Sequence, residues 1–201
     1  ATAKMLRVSV SKKAALRFQL EENLPLVVAD VSQIRQVIMN AVINASEAIG
    51  DDSGVITLAT GLQRADRAYL DGALSGSDLP EGEYVFFEVS DNGSGMNAAT
   101  RAKIFDPFFT TKFTGRGLGL AAVGGIVRGH KGAMKVVSEP GGGTTFRFLF
   151  PAQSGSDKTA ADDSSAVGPW QGQGTVLVVD DEESVRATAA LMLTVAGFDP
   201  I

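Results

Sequence analysis

Five carboxamide and carboxylate side chains recur at one-turn spacing in the first quarter of the chain: Gln33, Gln36, Asn40, Asn44 and Glu47. On a helix they fall within about 80° of one another. Asn competes for backbone hydrogen bonds, so two mid-helix asparagines four residues apart add nothing to helix propensity. A solvated polar face accounts for one of them. Two carboxamides and a carboxylate stacked a turn apart also suit a hard cation and phosphate, because carboxamide oxygens ligate Mg²⁺.

Three further segments could do chemistry. Val85–Ser90 runs into Asp91-Asn92-Gly93-Ser94-Gly95-Met96. This reads either as a strand-ending turn or as a carboxylate held to accept a hydrogen bond from a ligand amino group, with glycines admitting the ligand to the backbone. Phe105-Asp106-Pro107-Phe108-Phe109-Thr110-Thr111-Lys112 leads into Gly115-Arg116-Gly117-Leu118-Gly119-Leu120. A helix N-terminus flanked by two cations is an anion site. The same glycines loosely match a dinucleotide fingerprint, but that pattern must follow a buried strand, and here a Pro-containing aromatic segment precedes it. No GxxxxGK[ST] is present, which excludes a P-loop. Glu139-Pro140-Gly141-Gly142-Gly143-Thr144-Thr145 is, alone, an ordinary hairpin turn.

The elements that must position these residues follow from periodicity. Ile34, Val37, Ile38, Ala41, Val42 and Ala45 form the apolar face of a long helix, capped by Asp30 or Ser32 and closed at Gly50. Ala15–Leu20, Leu24–Ala29, Val55–Thr60 and Tyr84–Ser90 read as strands, with a polar stretch between the last two that holds a hairpin or short helix. A short helix near Ala98–Ile104 and a second long one over Leu118–Arg128 follow. Ala133–Ser138 and Thr145–Phe150 close a hairpin. The expected fold is an α/β two-layer sandwich, a mixed sheet covered on one face by helices. Gln153–Gly174 is small and polar, a linker. Thr175–Ile201 then switches to a buried-strand run and a helix. The expected division is a domain over 1–152, a linker over 153–174 and a βα fragment over 175–201.

Composition narrows the function. Of 201 residues, 23 are acidic and 18 basic, for a net charge of −5, which argues against a nucleic-acid binder. With no Cys and one His, disulfide scaffolds, thiolate sites and multi-histidine zinc sites are excluded. No apolar run approaches the ~18 residues of a membrane span, so no direct membrane contact is expected.

In order, Asn40/Asn44, Asp91-x-Gly93-x-Gly95, the Phe-Pro-Phe-Phe segment, Gly117-x-Gly119 and Gly143-Thr144 resemble the catalytic ATP-binding domain of sensor histidine kinases. This nucleotide fold is shared with DNA gyrase and MutL-type ATPases. The resemblance covers nearly all of residues 10–151. It implies ATP and Mg²⁺ as cofactors, with Asn44 on the metal and Asn40 beside it. Asp91 would bind the adenine amino group, supported by Thr144 through water, over a floor of Gly93 and Gly95. Phe105–Arg116 would be a mobile lid, and Gly115, Gly117 and Gly119 would cradle the phosphates. Nucleotide contact is also implied for Met96, Phe105, Thr110, Thr111, Lys112, Arg116, Leu118 and Leu120, and a catalytic role for Asn40, Asn44 and Lys112.

Within that fold the ATPase branch resembles Glu-x-x-x-Asn, where the Glu activates water. Here the position holds Asn40, which cannot serve as a general base near neutral pH. Transfer to a protein acceptor is therefore expected over hydrolysis; a conformational ATPase and a non-enzymatic nucleotide-sensing module are the alternatives. Glu47 stands where many kinases of this class carry a basic residue, leaving Lys112 and Arg116 as candidate phosphate cations. The single histidine, His130, falls at the end of the second long helix, a C-terminal cation or capping residue, so the acceptor is expected on an upstream dimerising hairpin, with residues 1–9 as its trailing end. Val176–Glu182 and the helix closed at Gly197 resemble the first strand and helix of a response-regulator receiver, with Asp180 and Asp181 as its Mg²⁺-binding pair. That fragment is too short to bury a core and is expected as a loosely ordered tail, or one packed opportunistically on the kinase domain. The reading is a cytoplasmic piece of a hybrid sensor histidine kinase.

Overall fold

Strand β1 (Ala14–Leu20) lies at one edge of a five-stranded sheet and pairs in parallel with β2 (Gly54–Ala65). Next to β2 comes β3 (Gly82–Asp91), then β5 (Thr144–Pro151), then β4 (Ala133–Ser138) at the far edge, all antiparallel. The sheet is therefore mixed. The parallel pair β1–β2 needs a crossover, and the helix α1 (Val31–Ile49) supplies it. The computed structural model describes residues 10–11, 13–50, 52–111, 117–153, 172–179 and 183–201. By its internal contacts the chain divides into two units, Ala1–Gly155 and Ser156–Ile201.

Period-two alternation puts Ile56 and Leu58 of β2, Phe87 and Val89 of β3 and Phe146, Phe148 and Phe150 of β5 on one face. Register sets Phe87 opposite Phe148, with ring centroids 4.7 Å apart. Against this face pack Val37, Ala41, Val42, Ala45 and Ile49 of α1, together with Val123 and Val127 of α4 (Gly119–Gly129). Helix α1 starts where Asp30 accepts hydrogen bonds from the backbone N–H of Ser32 (2.7 Å) and Gln33 (3.0 Å), so Asp30 and not Ser32 is its cap.

Two expectations for this unit change. Leu24–Ala29 is not a strand: Pro25 has no N–H to give a ladder, and Leu26 and Val28 are exposed. The polar stretch holds a short helix, α2 (Arg67–Asp71), capped by Asp66. It belongs to a second small core of Ala65, Leu70, Tyr84, Ala133 and Leu149. Tyr84 and Leu149 alternate with Phe87 and Phe148, which places this core on the opposite face of the sheet. The helix expected near Ala98–Ile104 is a single turn, α3 (Ala98–Arg101).

In the second unit, β6 (Thr175–Val176) pairs in parallel with β7 (Asp199–Pro200), joined through α5 (Glu183–Val195). Leu177, Val179, Leu191, Met192 and Ile201 are all exposed. A βαβ unit of this length folds its backbone without covering its apolar side chains. Among the described residues, no helix is long and apolar enough to cross a membrane, and no group of three His, Cys, Asp or Glu could hold a metal.

Candidate functional site

A cleft of about 650 Å³ opens between α1, the turn after β3, the segment from Ile104 to Thr111 and the start of α4. That volume suits a nucleotide-sized ligand. Asn40, Ile43, Asn44, Glu47 and Ala48 of α1 form one wall, and Gly117, Leu118, Gly119 and Leu120 stand at the head of α4. Asp91, Ser94, Gly95, Met96 and Thr144 close one end, and Thr110 and Thr111 line the rim.

That closed end is built on strand termini. Asp91, the last residue of β3, is 8% exposed and stands between Ile56 of β2 and Thr144 of β5. Its Oδ1 accepts the Gly93 N–H at 2.9 Å. Gly95 sits at φ +63°, and a Cβ there would come 1.9 Å from the carbonyl oxygen of Glu139, so the turn tolerates only glycine. Buried Ser138 ties the strand ends together. Its Oγ accepts the Met96 N–H at 2.8 Å and donates its one hydrogen to the Gly143 carbonyl at 3.0 Å. The 2.9 Å contact between the Ser138 and Thr144 hydroxyls must then take its hydrogen from Thr144. Both Asp91 and Thr144 thus face the cleft as acceptors, a surface that recognises an amino group.

The opposite end is built on two helices. The Asn40 side-chain amide donates to the Gly119 carbonyl at 3.3 Å, tying mid-α1 to the head of α4. The Asn44 amide donates to the Asn40 carbonyl at 2.8 Å, so its oxygen is the atom a hard cation would take. The donor set fits Mg²⁺. The Phe108 N–H donates to the Gly117 carbonyl at 3.0 Å, and Phe108 and Gly117 both have positive φ, 67° and 66°.

Asn40, Asn44, Asp91, Gly95, Met96, Thr110, Thr111, Gly117, Leu118, Gly119, Leu120 and Thr144 therefore line one cleft. Two expected contacts lie elsewhere. Gly93 packs on the C-terminal turn of α1, where a Cβ would come 2.6 Å from the Ala48 carbonyl. Phe105 packs into the main core beside α4. Lys112, Gly115, Arg116, Asp180 and Asp181 lie outside the described residues. Sequence reasoning missed Ser138, whose place at the end of a strand entering the Gly-rich turn was its only signal. It also missed Thr100, Phe109 and Phe146 in the cleft wall. His130 caps α4, as its position suggested, but bridges as well: Nδ1–H donates to the Ile126 carbonyl at 2.8 Å and Nε2 accepts the Asp30 N–H at 3.0 Å.

A sheet with helices on its main face, and an acceptor pair opposite a carboxamide pair, define an ATP-binding domain. Residues 29–154 match the family described as histidine kinase-, DNA gyrase B-, and HSP90-like ATPase, and the chain belongs to it. Similar proteins narrow this to the sensor histidine kinases. The chain is 38% identical over 201 residues to the sensor kinase CckA of Brucella abortus (strain 2308), covering 94% of this chain and 20% of that protein. It is 39% identical over 150 residues to the sensory histidine kinase/phosphatase NtrB of Rhizobium leguminosarum bv. phaseoli, covering 74% of this chain and 38% of that one. Full-length ShkA, solved in complex with AMPPNP, superposes with a TM-score of 0.59 and 28% identity over 99% of this chain and 37% of its own. The chain thus spans well under half the length of these relatives. Its larger unit is an ATP-binding catalytic domain of the sensor-histidine-kinase type.

Proposed function

We propose that this cleft binds Mg·ATP and presents its γ-phosphoryl group to a histidine on a separate dimerisation domain. The observation that carries the reading is the buried Asp91–Thr144 acceptor pair, which suits adenine's exocyclic amino group and would repel the 6-oxo group of guanine. The AMPPNP bound by ShkA supports the same nucleotide.

With the base at Asp91, the triphosphate runs along α1 toward Asn40 and the head of α4. Asn44 holds the cation through its carboxamide oxygen, and Asn40 holds Gly119 in place for the phosphates. Mg²⁺, when bound, neutralises charge on the phosphates as they separate. Lys112 and Arg116 supply further positive charge from the lid, with Phe105 packed in the core at its start. The acceptor imidazole attacks the γ-phosphorus as the bond to the β-phosphate oxygen breaks, and ADP leaves with that electron pair. Asn40 stands where a hydrolytic relative would need a carboxylate, so water is a poor acceptor. The working site is cytoplasmic, where ATP is. We assign residues 175–201 to the start of a receiver domain, with Asp180 and Asp181 as its cation-binding pair. The parallel pairing of β6 with β7 through the intervening helix α5 supports that assignment.

Calorimetric titration with ATP, with and without Mg²⁺, tests the binding step. Saturable one-site binding that weakens without metal and is lost in Asp91→Asn is the expected outcome. Adding a dimerising hairpin in trans with γ-labelled ATP then tests transfer. Label on the hairpin histidine is expected, and binding without label would reduce the chain to a nucleotide sensor.

A further inference from the structure

The sheet has two edges, and the chain treats them differently. Beyond β4, Leu74 covers part of the edge by exchanging backbone hydrogen bonds with Met134 at 2.7 and 3.0 Å. Beyond β1, among the described residues, no segment pairs. The Lys13 carbonyl accepts the Gly54 N–H at 3.2 Å and the Glu21 N–H donates to Thr60 Oγ1 at 3.1 Å, so the odd residues turn toward β2. Leu16, Phe18 and Leu20 therefore turn their N–H and C=O groups outward. Such an edge is a template for another strand, and natural sheets blunt it with Pro, Lys or a bulge. Strand β1 holds no Pro or Lys, and its register with β2 has no bulge. Phe18 is 38% exposed on it and Leu20 60%.

We propose that β1 pairs antiparallel with β1 of a second copy of this chain, joining the two sheets across a twofold axis. Charge and register select this partner. With the outward residues bonded to one another, a pairing centred on Arg17 sets that residue against its own copy, like charge on like charge. Centring on Phe18 sets Arg17 against Gln19, and centring on Leu20 runs Phe18 out against Glu22. Centring on Gln19 sets Arg17 opposite Glu21 and Phe18 opposite Leu20, and the twofold axis repeats each pair. Arg17 and Glu21 are both exposed on the same face of the sheet, with the Glu21 carboxylate over Gly61. Neither has an ion-pair partner among the described residues. Leu20 lies level with Thr60 and Phe87, whereas Leu16 lies level with Ile56 and Asp91, so the paired half of β1 is the half away from the cleft. The inference stands apart from the nucleotide reading.

Sedimentation velocity on the full chain over a wide concentration range tests the pairing. The wild type should show a concentration-dependent monomer–dimer equilibrium. Arg17→Glu and Glu21→Arg each turn two attractive pairs into repulsive ones, and each should weaken the dimer about tenfold or more. An equimolar mixture of the two variants restores opposite charges in both pairs and should recover the wild-type affinity. The double variant Arg17→Glu/Glu21→Arg should do the same. Recovery on mixing also shows that both single variants are folded. Leu20→Pro, which removes an outward N–H without touching the β2 ladder, should abolish pairing. The inference is overturned by a wild type still monomeric at about 1 mM, by single variants that dimerise as tightly as wild type, or by a mixture no tighter than its components.

Discussion

The two ends of the cleft are built differently. The base end stands on strand termini held by a continuous sheet: Asp91 pairs across to Ile56 and Thr144, and Ser138 fastens three backbone or side-chain groups around it. The phosphate end stands on two helices that the Asn40 side chain joins through its bond to the Gly119 carbonyl. The first is preorganised for a fixed hydrogen-bond pattern, which is what distinguishes one base from another. The second offers oxygen donors and helix-end amides, and becomes complete only with cation and nucleotide. Selectivity should therefore fail through mutations at the sheet, and affinity and metal dependence through mutations at the helices.

The largest effect should come from reversing the base end's hydrogen-bond sense. Asp91→Asn keeps an oxygen for the Gly93 N–H but can turn an NH₂ toward the ligand's own donor. ATP affinity should fall about 100-fold or more, the scale of a lost charged hydrogen bond plus an unpaired group. The thermal midpoint should move little. Calorimetry beside a melting curve checks both, and a variant that binds ATP normally would remove Asp91 from the base pocket.

A pair of glycines sharpens the contrast. Gly95→Ala must fit a Cβ 1.9 Å from a carbonyl oxygen at positive φ, so it should destabilise the fold by about 3 kcal/mol or more. At Gly119 the nearest atom a Cβ would meet is the Asn40 Oδ1 at 3.5 Å, an ordinary contact. Gly119→Ala should fold with unchanged or slightly raised stability, since Ala favours helix over Gly by up to about 1 kcal/mol. Its ATP affinity should nonetheless fall roughly tenfold, because the added methyl meets the ligand. Urea unfolding and calorimetry on both variants separate a glycine that the chain needs from one that the nucleotide needs.

How much of this was legible in the sequence follows the same line. Asn40, Asn44, Asp91 and Gly119 carry short-range signals: helical spacing, a strand end, a helix start. Their convergence on one cleft came from the family resemblance, because spacing alone cannot bring residue 44 to residue 119. The β1–α1 connection was misread because Leu24–Ala29 has strand composition, while Pro25, with no N–H to give a ladder, keeps it out of the sheet. The short helix on the second face stayed open against a hairpin because its burial depends on Tyr84 and Leu149, far along the chain. Ser138 was missed for a related reason. A serine at a strand end is unremarkable until β4–β5 pairing brings Thr144 beside it.

Ser138 gives the next prediction. Ser138→Ala strips a partner from the Met96 N–H, the Gly143 carbonyl and the Thr144 hydroxyl, all within the folded turn. The cost should be about 1–3 kcal/mol of stability. The freed Thr144 hydroxyl can also rotate to donate toward the ligand. Discrimination between ATP and GTP should then narrow while the Mg²⁺ dependence stays as it was. Competition titrations read the first, and the ratio of ATP dissociation constants in EDTA and in Mg²⁺ reads the second. If metal dependence collapses with base selectivity, the two ends are not independent.

The smallest effect tests the helical end from its far side. Asp30 caps α1, and the Asp30 N–H is held by His130 at the end of α4, so one residue links both helices that form the phosphate end. Hydrogen bonds from the Gln33 and Ser32 backbone N–H groups hold the Asp30 carboxyl below its ordinary value of 3.8. A lowered folded-state value means that the ionised form is the stabilising one. Its contribution is complete above the ordinary carboxyl range and is lost as pH falls through the lowered value. Asp30→Asn, which keeps a capping oxygen without charge, should therefore melt slightly below wild type at pH 7. The gap should close progressively as pH drops below about 4. Any loss of ATP affinity in this variant should leave base selectivity untouched, because no strand end is involved. A gap independent of pH would show that the cap works through its oxygen alone. A change in the ATP-to-GTP ratio would show that strain at the helices reaches the sheet.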